Sequence, residues 1–155
     1  MKQLIQKLKD TQTLTKDEWI TLIDHRTPEL AKYLFSQARE IQKLYYGNKI
    51  YIRGLIEFTN ICKNDCFYCG IRKSNQNACR YRLTKEDILE CCQIGYSLGF
   101  RTFVLQGGED GYFTDEKMMD MISSIKSAYP DCAITLSIGE KSYDSYKAFF
   151  EAGAD

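Results

Sequence analysis

The sequence predicts an α/β protein of parallel strands, the N-terminal part of a (β/α) barrel preceded by a helical segment. After residue 50, short β-branched and aromatic runs alternate with amphipathic stretches at spacings of roughly 35 to 45 residues, the rhythm of right-handed βαβ construction. Before it, residues 1–49 show helical periodicity and helix-start signals but no strand run. The last residues, "EAGAD", fall where a fourth strand is due, and three parallel strands alone leave two uncovered edges. Because a complete barrel typically needs about 250 residues, the expectation is a chain covering about one third to one half of one. An open α/β sheet is the alternative that the rhythm alone allows.

The elements follow in order. Thr15 is a good N-cap with Glu18 three places on to close a capping box, and Leu14 and Trp19 are spaced as a hydrophobic staple, so a short helix is expected over about 16–24. Thr27 followed by Pro28 repeats the start signal. Leu30, Leu34, Ala38, Ile41, Leu44 and Tyr45 then mark one face of a longer helix that should stop at Gly47. "YIRGLIEF", 51–58, switches to strand composition. Thr84 with Asp87 caps a helix whose face carries Ile88, Cys91, Cys92, Gly95 and Leu98 and which Gly99 ends. "FRTFVLQ" is the second strand, "GGEDGYF" a glycine-rich turn, and Thr114 the cap of a helix burying Met118, Met119, Ile122 and Ile125, with Pro130 after it. "CAITLSI" is the third strand, "GEKS" its loop and "YDSYKAFFEAG" a third helix.

Composition excludes some functions and permits others. At 155 residues the chain is long enough for one ordinary domain with its own core. Apolar residues at 44% and charged residues at 27% describe an ordered globular chain. The 21 basic and 21 acidic side chains cancel, which gives no sign of a nucleic-acid or anionic-membrane partner. Neither a secretory leader pattern nor a long apolar run is visible, so the expected location is the cytoplasm. In that reducing compartment the seven cysteines are expected as thiols or metal ligands rather than disulfides. Cys91, Cys92 and Cys132 sit in patterned segments as small hydrophobes.

Cys62, Cys66 and Cys69 do not fit that explanation. They lie in "EFTNICKNDCFYCGIRKSN", spaced C-x3-C-x2-C, directly after the first strand, and α/β enzymes build their sites in such loops. Three thiolates can hold three corners of a cubic iron-sulfur cluster and leave the fourth iron open to a ligand, whereas a closed structural or electron-transfer site uses four. The competing reading is a zinc knot completed by Cys79, although zinc sites usually take their thiolates as two pairs. Tyr68 either packs on a bound aromatic group or fills the interior of the loop. Lys63, Arg72 and Lys73 add positive charge that is ordinary on a solvated surface. His25 reads as a surface or capping residue. Gly107 and Gly108 allow close backbone approach after the second strand. Glu109 and Asp110 share that rim, where they bind a cation, order the loop or face water. Ser137 and Glu140 end the third strand, where a carboxylate can bind sugar hydroxyls.

The cysteine spacing, Tyr68 before the last cysteine, and "GGED" at 107–110 resemble the radical S-adenosylmethionine (SAM) superfamily. Within it, "RGLIEFTNICKNDCFYCGIRKSN", "RYRLTKEDI", "VLQGGEDGYF" and "TLSIGE" are most similar to the HydE family of [FeFe] hydrogenase maturases, with the methylornithine synthase and biotin synthase families sharing the cluster loop. The resemblance implies a radical SAM TIM-type barrel and a [4Fe-4S] cluster on Cys62, Cys66 and Cys69 whose unique iron chelates SAM. It also implies that Gly107, Gly108 and Glu109 lie against the methionine part, Ser137 and Glu140 near the ribose, and Tyr68 beside the adenine. The implied activity is reductive cleavage of SAM to a 5′-deoxyadenosyl radical in assembly of the hydrogenase active site. The implied partners are a reductant such as flavodoxin or ferredoxin, other hydrogenase maturases and a small or organometallic substrate. A noncatalytic iron-sulfur or zinc module stays open as the alternative from another class.

Overall fold

A computed structural model describes all residues, 1–155, and the chain divides into two compact units, Met1–Tyr51 and Ile52–Asp155. The first unit is three helices, α1 (Lys2–Thr11), α2 (Lys16–Asp24) and α3 (Pro28–Tyr46). Thr15 and Glu18 form the reciprocal capping box at the start of α2, and Thr27 caps α3 with Pro28 in its first turn. Each cap satisfies N–H groups that no helical carbonyl can reach. Ile5, Leu14, Leu22 and Leu30 form the core of this unit, with Leu34 packed against it. The apolar face of α3 is buried only toward its N-terminal end, since Leu44 and Tyr45 are exposed. His25 is the exposed C-cap residue of α2.

The second unit is a parallel sheet, β1 (Gly54–Thr59), β2 (Thr102–Gly107) and β3 (Ala133–Ser137), in the order β1-β2-β3. Its helices are α4 (Lys85–Ser97), α5 (Asp115–Ala128) and α6 (Tyr143–Glu151). Strand β1 starts three residues later than its composition suggests, and Tyr51 and Ile52 lie outside it, exposed. An apolar residue favours a strand only where a neighbour covers its face. Alternate residues Ile56, Phe58, Phe103, Leu105 and Ile134 share one core with Ile88 and Cys92 of α4, with Met118, Met121, Ile122 and Ile125 of α5, and with Phe149 of α6. All three helices therefore cover one face of the sheet, as in a barrel wall; a doubly wound sheet has helices on both faces. On the other face Leu55 and Glu57 are exposed and Val104, Gln106 and Thr135 half-buried. Cys91 and Leu98, expected on the buried face of α4, are exposed, as that face narrows to Ile88 and Cys92. In α5, Met121 takes a core place and Met119 lies at the edge.

Candidate functional site

Parallel pairing puts the C-terminal ends of β1, β2 and β3 side by side, with Thr59 opposite Gly107 and Gln106 opposite Ser137. A register irregularity between Glu57 and Thr59 advances the end of β1 against β2. These strand ends and the three loops that leave them carry every residue nominated for the site, Gly107 and Ser137 as the last residues of β2 and β3.

The cysteine loop leaves β1 and returns beside it. Leu83 N–H donates to the Phe58 carbonyl at 2.8 Å and an antiparallel bridge joins Thr59 to Arg82. Asn60 seals the neck: its Nδ2 donates to the Cys79 carbonyl and its Oδ1 accepts from Tyr81 N–H. Inside, Cys69 N–H donates to the Cys66 carbonyl and Arg72 N–H to the Cys69 carbonyl, so Cys66 and Cys69 stand at the two ends of one tight turn. All three cysteines are free thiols, Cys66 exposed and Cys62 and Cys69 half-buried. The Arg80 guanidinium donates to the carbonyls of Asn60, Ile71, Arg72 and Asn75, a role no sequence motif announces.

The glycine turn packs directly on that loop. Gly108 is buried, and a Cβ there would collide with the Ile61 carbonyl and lie 2.8 Å from Cys62 Cβ. At Gly107 a Cβ would meet Thr59 Cγ2 at 2.8 Å and the Phe58 ring at 2.9 Å. The approach these glycines permit lets Glu109 N–H donate to Cys62 Sγ at 3.4 Å and Lys63 N–H donate to the Glu109 carbonyl at 3.0 Å. The Glu109 carboxylate accepts from Asn64 Nδ2 at 2.6 Å and pairs with Lys63 Nζ at 2.9 Å. That ammonium, with Asn64 adding to it, holds the Glu109 carboxyl below its ordinary value, and Glu109 raises Lys63 in return. Of the three roles open to Glu109 and Asp110, both residues are thus seen ordering loops: Asp110 accepts from Thr59 Oγ1, Tyr112 N–H and both Arg82 Nε and Nη2.

Glu109 and Glu140 line one cavity of about 120 Å³ with Lys63, Gly108 and Lys141, floored by Phe58, Phe113 and Ile138. Gly139, at φ 81°, passes so close to the Glu109 side chain that no Cβ fits between them. The cysteine loop, the glycine turn and the third strand end therefore meet here. Cys62 is joined to this assembly through Glu109, whereas Cys66, Cys69, Gly107, Ser137 and Tyr68 do not line the cavity. Tyr68 is 94% exposed and Phe67 98%, so Tyr68 does not fill the loop interior.

The donor type, three thiols on one loop, is the type an iron-sulfur cube takes. No three His, Cys, Asp or Glu side chains converge on one point as a single ion needs, but a cube binds one thiolate per iron and asks for sulfurs spread around a loop. Cys62, Cys66 and Cys69 are three free thiols on one loop, with a backbone N–H directed at the Cys62 sulfur.

Comparison with known proteins bears on this set. No family model matches the chain. The [FeFe] hydrogenase maturase subunit HydE of Thermotoga maritima is 43% identical over 122 residues, 79% of this chain and 34% of that protein. This chain is a radical SAM homologue. A 3-methylornithine synthase of Methanosarcina barkeri is 31% identical over 77% of the chain, again over 35% of its own length. Two radical SAM crystal structures superpose on 98% of the chain: methylornithine synthase (PylB) with a TM-score of 0.83 at 29% identity, and the maturase HydG with 0.84 at 27%. The match takes in 45% and 35% of those chains, so the three βα units have the fold of a part of those barrels. The chain spans about a third of the length of the first curated relatives it matches.

Proposed function

We propose that the chain belongs to a radical SAM enzyme of HydE type, with Cys62, Cys66 and Cys69 as ligands of a [4Fe-4S] cluster. The observation that carries the reading is the contact between Cys62 and the glycine turn, where Glu109 N–H reaches the Cys62 sulfur at 3.4 Å. It puts the turn that would hold SAM against the loop that would hold the cluster. When bound, the cluster supplies the electron that cleaves SAM to methionine and a 5′-deoxyadenosyl radical. The residues of the chain provide position and surroundings. Gly107 and Gly108 bring bare backbone to the methionine part, and the Glu109 N–H lowers the charge density on the Cys62 thiolate, one of the levers on a cluster's potential. Ser137 at the end of β3 and Glu140 in the loop after it, both exposed, would offer acceptors to the hydroxyls of the ribose. Tyr68, exposed beside Cys69, would pack on the adenine.

The finer assignment is to assembly of the [FeFe] hydrogenase active site on an organometallic precursor, with a flavodoxin or ferredoxin as reductant and other maturases as partners, in the cytoplasm. It is supported by the 43% identity to HydE against 31% to 3-methylornithine synthase over nearly the same span. No helix of the chain is long and apolar enough to cross a membrane.

The test is anaerobic reconstitution of the full-length protein, read by electron paramagnetic resonance with and without SAM. A SAM-dependent change of the reduced-cluster signal is expected, and an unchanged spectrum rejects the reading. Cys79→Ser should keep its iron; loss of metal there favours the zinc knot. Restoration of hydrogenase activity to a strain lacking its own HydE tests the finer assignment, and formation of 3-methylornithine instead would replace it.

A further inference from the structure

We propose that Arg80 is a positioning residue for the cluster, fixing the shape in which Cys62, Cys66 and Cys69 are presented; the proposal rests on the iron-sulfur reading above. Its Nη1 donates to the Asn60 carbonyl at 2.5 Å and the Ile71 carbonyl at 2.8 Å, and its Nη2 to those of Arg72 at 2.7 Å and Asn75 at 3.1 Å. One of these carbonyls precedes the first cysteine and three follow the last. A single planar group therefore ties both limbs of the segment that carries all three thiols.

Few other bonds could do so. Within the segment there are local turns at Cys66–Cys69 and Cys69–Arg72, the Asn75 Nδ2 bond to the Gly70 carbonyl, and cross-links from Lys73 N–H to the Asn64 carbonyl and from Ser74 N–H to Asp65 Oδ1. At the neck Asn60 is also bonded to Cys79 and Tyr81, which closes the loop further along the chain and leaves Ile71, Arg72 and Asn75 untied to it. Removing the fork would leave three carbonyls, those of Asn60, Ile71 and Asn75, to find other donors in a half-buried place, while the Arg72 carbonyl keeps the Asn75 N–H.

The charge of Arg80 is also unspent. The ion pairs of the chain use Lys7, Lys9, Lys63, Arg82, Lys85, Arg101, Lys126, Lys141 and Lys147, and no carboxylate pairs with Arg80. Three thiolates on an iron-sulfur cube leave net negative charge that grows on reduction, and a cation fixed in the same loop is its complement. Lysine cannot substitute. An ammonium is a point charge with three donors and cannot span carbonyls on two limbs as a planar fork does.

The test uses the full-length protein and its Arg80→Lys variant. Chelator competition reads cluster affinity, and electron paramagnetic resonance with redox titration reads the signal and midpoint potential of the fraction assembled. Circular dichroism reads the folded fraction of the apo-protein. The expected result is about a tenfold loss of cluster affinity, in the range seen for groups that orient metal ligands, with altered line shape and midpoint while the folded fraction is unchanged. Wild-type affinity, line shape and midpoint in Arg80→Lys overturn the proposal, and so does an affinity loss matched by a loss of folded protein. Hydrogen exchange compared between the wild-type and Arg80→Lys apo-proteins tests the clamp directly. Faster exchange of the Lys73 and Ser74 amides in Arg80→Lys supports it, because their own acceptors, the Asn64 carbonyl and Asp65, are untouched by the substitution, and equal exchange in the two overturns it. A wild type that assembles a SAM-responsive cluster while Arg80→Lys matches it sinks this inference alone; a wild type with no SAM response sinks the functional reading.

Discussion

Arg82 grips Asp110 through two hydrogen bonds, Nε to Oδ2 at 2.6 Å and Nη2 to Oδ1 at 2.9 Å, across 28 residues of sequence. The pair ties the strand-like segment leaving the cysteine loop to the glycine turn, and Thr59 Oγ1 completes the junction at 2.9 Å. With Arg80 on the other side of Tyr81, the "RYR" segment holds both loops of the site from one short stretch.

Asp110→Ala should therefore cost stability, about 2 kcal/mol for a side chain only 3% exposed that accepts from a guanidinium, a hydroxyl and an N–H. Burial pushes the Asp110 carboxyl up, but the bonds from Arg82, Tyr112 N–H and Thr59 together outweigh it and hold it below its ordinary value. A depressed folded value means that the stabilisation is present above the unfolded carboxyl range and is lost as pH falls through the folded one. Denaturant melts should show the gap between wild type and Asp110→Ala closing below about pH 4.

Gly108→Ala should disrupt the site more than the fold. The new Cβ meets the Ile61 backbone carbonyl, which cannot rotate away as a side chain could. A cost of about 1–3 kcal/mol is expected from overpacking, along with reduced iron incorporation on reconstitution. Iron content equal to wild type would show that the cysteine loop does not need this contact.

The thiols should react in two classes. Cys66, Cys79 and Cys91 are exposed, whereas burial pushes the Cys92 thiol up to about 12 and Cys132 upward as well. Brief alkylation of the native apo-protein, read by peptide mass spectrometry, should label the exposed three and spare Cys92 and Cys132, since the thiolate is the nucleophile. Early labelling of Cys92 would mean that α4 is not seated on the sheet.

Leu105→Ala should be the costly core change. The side chain is fully buried at the centre of the middle strand, between helices and both neighbouring strands. About 3 kcal/mol is expected, the transfer term plus a cavity that a close-packed wall cannot collapse. Thermal or urea unfolding checks it.

Signals that act over a few residues were legible. The capping boxes at Thr15 and Thr84 join residues three apart, and the βαβ rhythm is a matter of local period. Burial was less so: periodicity names a face, but what covers it decides whether Cys91, Leu98 or Leu44 is inside, and all three are exposed. The cysteine spacing drew attention to a loop that packs against the glycine turn. Its organiser was hidden, because Arg80 contacts backbone carbonyls, which every residue possesses and no side-chain pattern records. For Asp110 and Glu109 loop ordering was one of three readings left open, and what decides among them lies far off in sequence, as their partners Thr59 and Asn64 are 51 and 45 residues earlier.

Those same separations order events during synthesis. Cys62, Cys66 and Cys69 leave the ribosome well before Gly108, Glu109 and Asp110, the residues against which their loop is packed. A nascent chain short of the second strand thus carries three uncommitted thiols open to oxidation or stray metals, and the loop proposed to receive a cluster takes its packed form only after β1 and β2 have paired.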